Sequence, residues 1–408
     1  MRTLIRADWV LPIAQPPVRE GRVLVEDGRV VAVAGRAAGP DPALADADRV
    51  TDLPGCAVLP GLVNAHTHLE LSWMRGRVPE TAALPSWVRA SMALRAAAPA
   101  EAEVAAAVRL ALADAHATGT ALVGDVSNTL VSCAPLAGGP VAALVFHELL
   151  GFDPTEPARE VAAAAARARA HAVAGATKTT LAVHAAYSTA PATMRAVASA
   201  VPTGAPLGVH LAESADELRF LRDGGGPWRA LLEELGKWSG AWTPPGCGPV
   251  EYLAAVGMVR PGLVAAHGVH LTAGELAALA AAGATVVTCP RSNRWTGAGV
   301  PPVAAFYGSG VRVAIGTDSL ASVADLDLFA EARAIRRIAP SVPAAALLRS
   351  ATLEGARALG WGAEFGSVEP GRRAALIAVQ VPGGARAETI EDEVLDHASG
   401  PGRIAWVS

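Results

Sequence analysis

Apolar and polar residues alternate along residues 1–58, with short turns between the runs. In Gly21-Arg-Val-Leu-Val-Glu-Asp-Gly-Arg-Val-Val-Ala-Val the alternation continues on either side of Asp27-Gly28. A period of two flanking an Asp-Gly pair predicts a β-hairpin. Over residues 59–363 the rhythm changes. Short apolar runs at 61–66, 120–125, 141–147, 179–184, 206–210, 262–267, 284–288 and 311–316 are each followed by a longer Ala-, Leu- and Arg-rich helical stretch. Parallel strands joined by helices account for that alternation, and eight of them fit a closed α/β assembly, a (β/α)8 TIM-like barrel. Strand-like composition returns over residues 364–408, as in Ala374-Ala-Leu-Ile-Ala-Val-Gln. The C-terminal segment is therefore expected to complete the N-terminal β element.

Helix-start signals support this register. Ser214-Ala-Asp-Glu217 and Thr272-Ala-Gly-Glu275 read as capping boxes, and Pro191 after Thr189 suits a first helical turn. The residues just before them then lie at strand ends and in βα loops. Residues 223–250, with Gly224-Gly-Gly-Pro and Trp228, Trp238 and Trp242, make an unusually long βα connection. Two readings of it stay open, a lid over a pocket and an inert insertion.

Composition narrows the function classes. With 408 residues, 51% of them apolar, the chain can bury a large core. A net charge of −4 without basic blocks or an acidic tail gives no sign of nucleic acid or an anionic membrane surface, so the expected partner is a small molecule. Homo-oligomerisation stays open. The four cysteines, Cys56, Cys133, Cys247 and Cys289, form no Cys-x-x-Cys pair and no disulfide framework. A reducing cytoplasm is the expected setting, and neither a signal peptide nor an apolar membrane span is read.

The chemistry-bearing residues fall at strand ends. Strand one ends in His66-Thr-His68, and side chains two apart on a strand share a face, so both imidazoles can meet one ion. Strand five ends in His210-Leu-Ala-Glu213, strand six in His267-Gly-Val-His270, and strand eight in Gly316-Thr-Asp318-Ser. Taken singly, each has a structural reading: Asp318 a helix cap, Glu213 a solvated loop residue, His267 a buried imidazole bonded to backbone. Four strand ends at one rim, each with a ligand or an acid/base group, favour a metal site. His270 reads as structural, and His116, His147, His171 and His397 match no motif.

Pro60-Gly-Leu-Val-Asn-Ala-His-Thr-His, His210-Leu-Ala-Glu, His267-Gly-Val-His, Cys289-Pro-Arg-Ser-Asn and Gly316-Thr-Asp-Ser resemble the amidohydrolase superfamily, in its deaminase and chlorohydrolase branch. The resemblance implies a barrel with a β-sandwich from both termini, and one divalent ion on His66, His68, His210 and Asp318. Zinc suits that donor set and iron is also reasonable. It further implies proton transfer by Glu213 and Asp318, with His267 orienting the attacking water. The lysine that binuclear members carry at the end of strand four has no counterpart, because Lys178 lies at the wrong end of that strand, leaving His184 free to meet substrate.

Phe146-His-Glu148-Leu-Leu, Gly224-Gly-Gly-Pro-Trp and Pro249-Val-Glu-Tyr-Leu resemble the aminodeoxyfutalosine deaminases of the futalosine route to menaquinone, implying a 6-aminopurine nucleoside as substrate. Glu148 would then reach ribose hydroxyls and Trp87 would cover the purine or the aryl tail. Glu148 as a surface residue and Trp87 as a core anchor are the plain alternatives. Ala186 replaces the family's usual proline after His184. Hydrolases of S-adenosylhomocysteine, methylthioadenosine, another aminated heterocycle or a cyclic amide stay open. So does a non-catalytic binding module, although loss of a ligand or of the acid/base pair, its expected mark, is not seen.

Overall fold

The computed structural model describes residues 1–35, 47–398 and 402–407. The N-terminal segment forms β1 (Arg2–Val10), β2 (Val18–Glu26), β3 (Arg29–Ala34) and β4 (Arg49–Pro60). The barrel strands follow: β5 (Leu62–Thr67), β6 (Thr120–Ser127), β7 (Ala142–Leu149), β8 (Thr177–Val183), β9 (Leu207–Leu211), β10 (Leu263–His267), β11 (Thr285–Thr288) and β12 (Arg312–Ile315). The chain ends with β13 (Leu376–Gln380) and β14 (Ile404–Trp406).

Strands β5 to β12 form one eight-stranded parallel sheet in sequential order, each apolar run of the sequence appearing as a strand. Every residue of β5, β6, β9, β10 and β11 is buried, as expected of parallel strands covered on both faces. The seam between β12 and β5 is closed by Thr317 and Asp318, whose N–H groups donate to the His66 carbonyl at 3.1 and 3.0 Å. Asn64 braces the same seam. Its Nδ2 donates to Thr317 Oγ1 at 2.7 Å and its Oδ1 accepts from Thr317 N at 3.1 Å. Glycine is required at 316, because a Cβ there would lie 2.8 Å from both the Cβ and the carbonyl oxygen of His66.

The termini combine in a six-stranded sheet of order β14-β13-β4-β1-β2-β3, parallel only between β1 and β4. The Asp27-Gly28 turn joins β2 to β3 with both residues left-handed, at φ 48° and 74°, as a type I′ hairpin requires. Alternation sets the two faces of β13. Leu376 and Ala378 meet Ile5, Val23 and Val58 within the sheet's own core, while Ile377 and Val379 pack with Trp9 and Leu59 on helices 328–338 and 390–397.

Thr272 and Glu275 form the full reciprocal capping box. Ser214 caps its helix by accepting from Glu217 N, but Glu217 reaches further back, to the N–H groups of Ala212 and Glu213 at 3.0 and 3.1 Å. Residues 223–250 hold a helix at Pro227–Glu234, and their Trp228, Trp238 and Trp242 form one aromatic cluster with Phe152, Tyr187 and Phe220. Trp228 stacks on Tyr187 at 3.9 Å, so this segment is built onto the loop after β8. Among the described residues no helix is long and apolar enough to cross a membrane.

Candidate active site

The barrel brings His66 and His68 (end of β5), His210 (β9), His267 (β10) and Asp318 (after β12) to one mouth. Three strand ends are bent into left-handed backbone at non-glycine residues, Ala212, His267 and Asp318, with φ of 50°, 74° and 63°. Such positions cost of order 1–3 kcal/mol each and persist only where surrounding bonds hold them. Here His270 N donates to Ala212 O at 2.9 Å, and Asp318 N to His66 O.

The ring nitrogens of His66, His68 and His210 lie within 4.8 Å of one another. His66 Nε2 is buried without a hydrogen-bond partner, and the Nε2 atoms of His68 and His210 face each other at 3.2 Å. His210 Nδ1 donates to the His184 carbonyl at 2.9 Å, which leaves its Nε2 lone pair free. Asp318 Oδ1 lies 3.6 Å from His68 Nε2 and 3.9 Å from His66 Nε2. Converging lone pairs beside a carboxylate, with one nitrogen orphaned, fit a divalent cation.

The electrostatics agree. Burial drives His66 well below the ordinary imidazole range, and takes His68 to about 3 and His184 to about 4, so these rings are neutral donors near pH 7. Burial would raise Asp318, but the imidazoles of His68, His267 and His66 and the Ser292 hydroxyl outweigh it and keep the carboxyl ionised. Glu213 behaves oppositely. Burial, then the neighbouring carboxyls of Asp318 and Glu217, push it well above the carboxylate range, which favours its protonated form. Its Oε1 lies 3.6 Å from His267 Nε2.

Of the expected substrate contacts, His184 sits at the mouth with Nδ1 2.6 Å from Ser188 Oγ, its ring 4.9 Å from that of His210. Glu148 is 5% exposed, which rules out a surface role. Its Oε2 accepts from Asn128 at 2.9 Å, while its Oε1 has no hydrogen-bond partner and lies 3.4 Å from His210 Nδ1. Glu148, His184 and His210 make a second group with metal-ligating spacing, though His210 Nδ1 is already engaged by the His184 carbonyl. Trp87 is half-buried, donates its indole N–H to Ala321 O at 3.3 Å and packs against two apolar clusters, as the core-anchor alternative expected. His270 donates to Ala298 O, Lys178 to Gly360 O at the opposite end, and His116 stacks on Trp406; none enters the site.

Sequence reasoning marked Ser292 and Asn293 only as pocket-lining candidates in the Cys289-Pro-Arg-Ser-Asn run, and missed what they and the other supports hold. Ser292 Oγ donates to Asp318 Oδ2 at 2.5 Å and Asn293 Nδ2 contacts His267 Nδ1 at 3.0 Å, both from one turn of the helix Pro290–Trp295. Asp125 takes the N–H of Leu69 at 2.8 Å and the Ser132 hydroxyl, fixing the chain just after His68. Glu70 accepts from Ser127, Thr129 and Arg95. The one signal available was position: Ser292 and Asn293 follow the end of a barrel strand, where polar side chains face the mouth.

Fold and site together define a metal-dependent hydrolase acting on C–N bonds, a class that includes deaminases. The amidohydrolase family profile matches residues 57–394, and the chain belongs to that family. It is 32% identical to a 5-methylthioadenosine/S-adenosylhomocysteine deaminase of Moorella thermoacetica over 93% of this chain and 86% of the relative. It is 33% identical to an aminodeoxyfutalosine deaminase of Deinococcus radiodurans over 75% of this chain and 74% of that one. An adenosine deaminase of Xanthomonas campestris with bound zinc superposes with a TM-score of 0.79 at 28% identity, over 98% of this chain and 90% of the other. The Helicobacter pylori aminofutalosine deaminase in complex with methylthio-coformycin shares the fold, with a TM-score of 0.85 at 23% identity over 99% and 98% of the two chains.

Proposed function

We propose that this protein hydrolytically deaminates the 6-aminopurine of an adenosine-like nucleoside, aminodeoxyfutalosine first among candidates, releasing ammonia. The observation that carries the reading is geometric: buried Glu213, shifted toward its protonated form, lies 3.6 Å from His267 Nε2 at the mouth where Asp318, shifted toward its ionised form, meets three converging imidazoles. Hydrolysis at an amine-bearing ring carbon needs both states at once. An acid must protonate the ring nitrogen as a base takes the proton of the attacking water.

His66, His68, His210 and Asp318 would hold one divalent ion, zinc by donor set. Such an ion lowers the pKa of a bound water from about 16 to about 7. Glu213 gives its proton to the ring nitrogen while the water oxygen bonds to the neighbouring carbon. Asp318 accepts the water's proton, and His267 orients the incoming oxygen by hydrogen bonding. That proton then passes to the amine, the C–N bond breaks and ammonia leaves, while the added hydroxyl gives up its own proton as the C=O bond forms and so restores protonated Glu213. His184 and Glu148 face the substrate side, and Trp87 flanks it.

A second reading, 5-methylthioadenosine or S-adenosylhomocysteine, is favoured by the greater coverage of the Moorella relative. A panel of these nucleosides followed by ultraviolet absorbance and ammonia release separates the two. Failure of every adenosine analogue ends the nucleoside reading. Elemental analysis is expected to return one tightly bound ion per chain, and two would contradict the single-ion site.

A further inference from the structure

We infer that Asn293 is a positioning residue that holds His267 as its neutral Nε2–H tautomer, so that this imidazole acts as a hydrogen-bond donor and not as a base. Asn293 is fully buried on the helix Pro290–Trp295, and its Nδ2 lies 3.0 Å from His267 Nδ1. An amide nitrogen is only a donor, so the contact requires a lone pair on Nδ1 and places the ring proton on Nε2. The other side of the ring agrees, since Nε2 looks toward Glu213 Oε1 at 3.6 Å, an oxygen able to accept.

The amide is held at a cost. Asn293 Oδ1 is buried with no hydrogen-bond partner, a state that ordinarily loses about 1–3 kcal/mol. An apolar side chain would avoid that loss, so the orientation of Nδ2 is what the position gains. The backbone adds to this, because His267 is left-handed at φ 74° and its ring has no backbone hydrogen bond of its own. The same helical turn sets Asp318 through Ser292 Oγ, so one turn presets an acceptor and a donor. With a proton fixed on Nε2, His267 steadies the attacking oxygen and leaves proton removal to Asp318.

The inference rests on the deaminase reading only where turnover is measured. The direct test is long-range 1H–15N NMR of zinc-loaded protein labelled with 15N-histidine. The His267 signals are assigned by their loss in His267→Gln or, should that chain not fold, by their shift in Asn293→Asp. The expected pattern is an unprotonated Nδ1 and a protonated Nε2. A protonated Nδ1, an imidazolium or an average of two tautomers overturns the inference, whatever the substrate. Asn293→Asp replaces the donor with an acceptor and is expected to move the proton to Nδ1. For the nucleoside that the panel identifies, its kcat should fall about 10–100-fold with KM within about threefold and zinc content unchanged. An unchanged kcat, or a loss that only tracks lost zinc, also overturns it.

Discussion

The barrel mouth and the terminal sheet carry charge in opposite ways. In the sheet, Arg6 and Asp52 pair at 2.6 Å with about half of each side chain in water, and burial offers them almost nothing to resist. In the mouth, Asp125, Glu213, Glu217 and Asp318 are all buried, and that burial raises three of them, Asp125 and Glu217 to about 7 and Glu213 well above the carboxylate range. A paired charge in water contributes little and costs little. A buried carboxyl is expensive, and the fold retains several around one barrel mouth, which is the mark of a site arranged for chemistry and not for stability alone.

The largest expected break in this contrast is Glu213→Gln. The amide fills the same space but cannot deliver a proton, so kcat should fall by about 10²–10⁴ while ion content and thermal midpoint stay near wild type. Near-normal turnover would remove Glu213 from proton transfer and leave the mouth's buried carboxyls without their chemical explanation.

Next in size is the seam. Gly316→Ala would drive a methyl into the Cβ and backbone of His66, atoms that cannot turn away. Overpacking against side chains costs about 1–3 kcal/mol, and backbone yields less readily, so a loss of about 3 kcal/mol is expected in urea titration together with weaker ion retention. Unchanged stability and ion content would show that the β5–β12 closure does not set the His66 geometry.

How much of this was legible beforehand follows from what a one-dimensional pattern can hold. The eight strands were readable because a parallel strand buried on both faces is an uninterrupted apolar run, and β6 and β10 are buried throughout. The rim residues were readable because His66-Thr-His68 and His210-Leu-Ala-Glu213 sit where those runs stop. Glu148 was only half readable. Its position at the end of β7 was plain, but its partner Asn128 lies on another strand's loop, and nothing local pairs them. The partners of Asn293 and Ser292 were invisible for the same reason, since each acts on a residue 26 positions away. Ser214 to Glu217 fits a capping box in sequence, yet Glu217 turns to Ala212 and Glu213 because the left-handed Ala212 presents free N–H groups there.

A smaller effect sharpens the comparison through pH. Asp125 ionises near 3.8 in an unfolded chain, and burial raises it to about 7 in the folded protein. Between those values the unfolded chain binds fewer protons than the folded one, so stability falls as pH rises. The contribution is complete below about pH 4 and gone above about pH 7. Asp125→Asn keeps an acceptor for Leu69 N and cannot ionise, so its stability curve over this window should be flatter. A tenfold change in proton affinity is worth about 1.4 kcal/mol, and the amide gives back part of the gain because it accepts more weakly from Leu69 and Ser132. At pH 8 the variant should therefore exceed wild type by about 1–2 kcal/mol. Parallel curves for the two proteins would mean that Asp125 is ionised when folded.

The smallest effect is expected where the pairing looks best. Arg6 Nε and Nη2 meet both oxygens of Asp52 at 2.6 and 2.7 Å, a two-point contact between β1 and β4. The guanidinium draws the Asp52 carboxyl down, yet both groups stand in water, where counter-ions and solvent replace each partner on removal. Strands β1 and β4 are also joined by their parallel ladder and by Ala7, Val10 and Val58 beneath. Arg6→Ala should therefore leave the urea midpoint unchanged within error, at low and at high salt alike. A salt-sensitive loss as large as the pH effect of Asp125 would show that the sheet relies on its surface charges, and the contrast with the mouth would then fail.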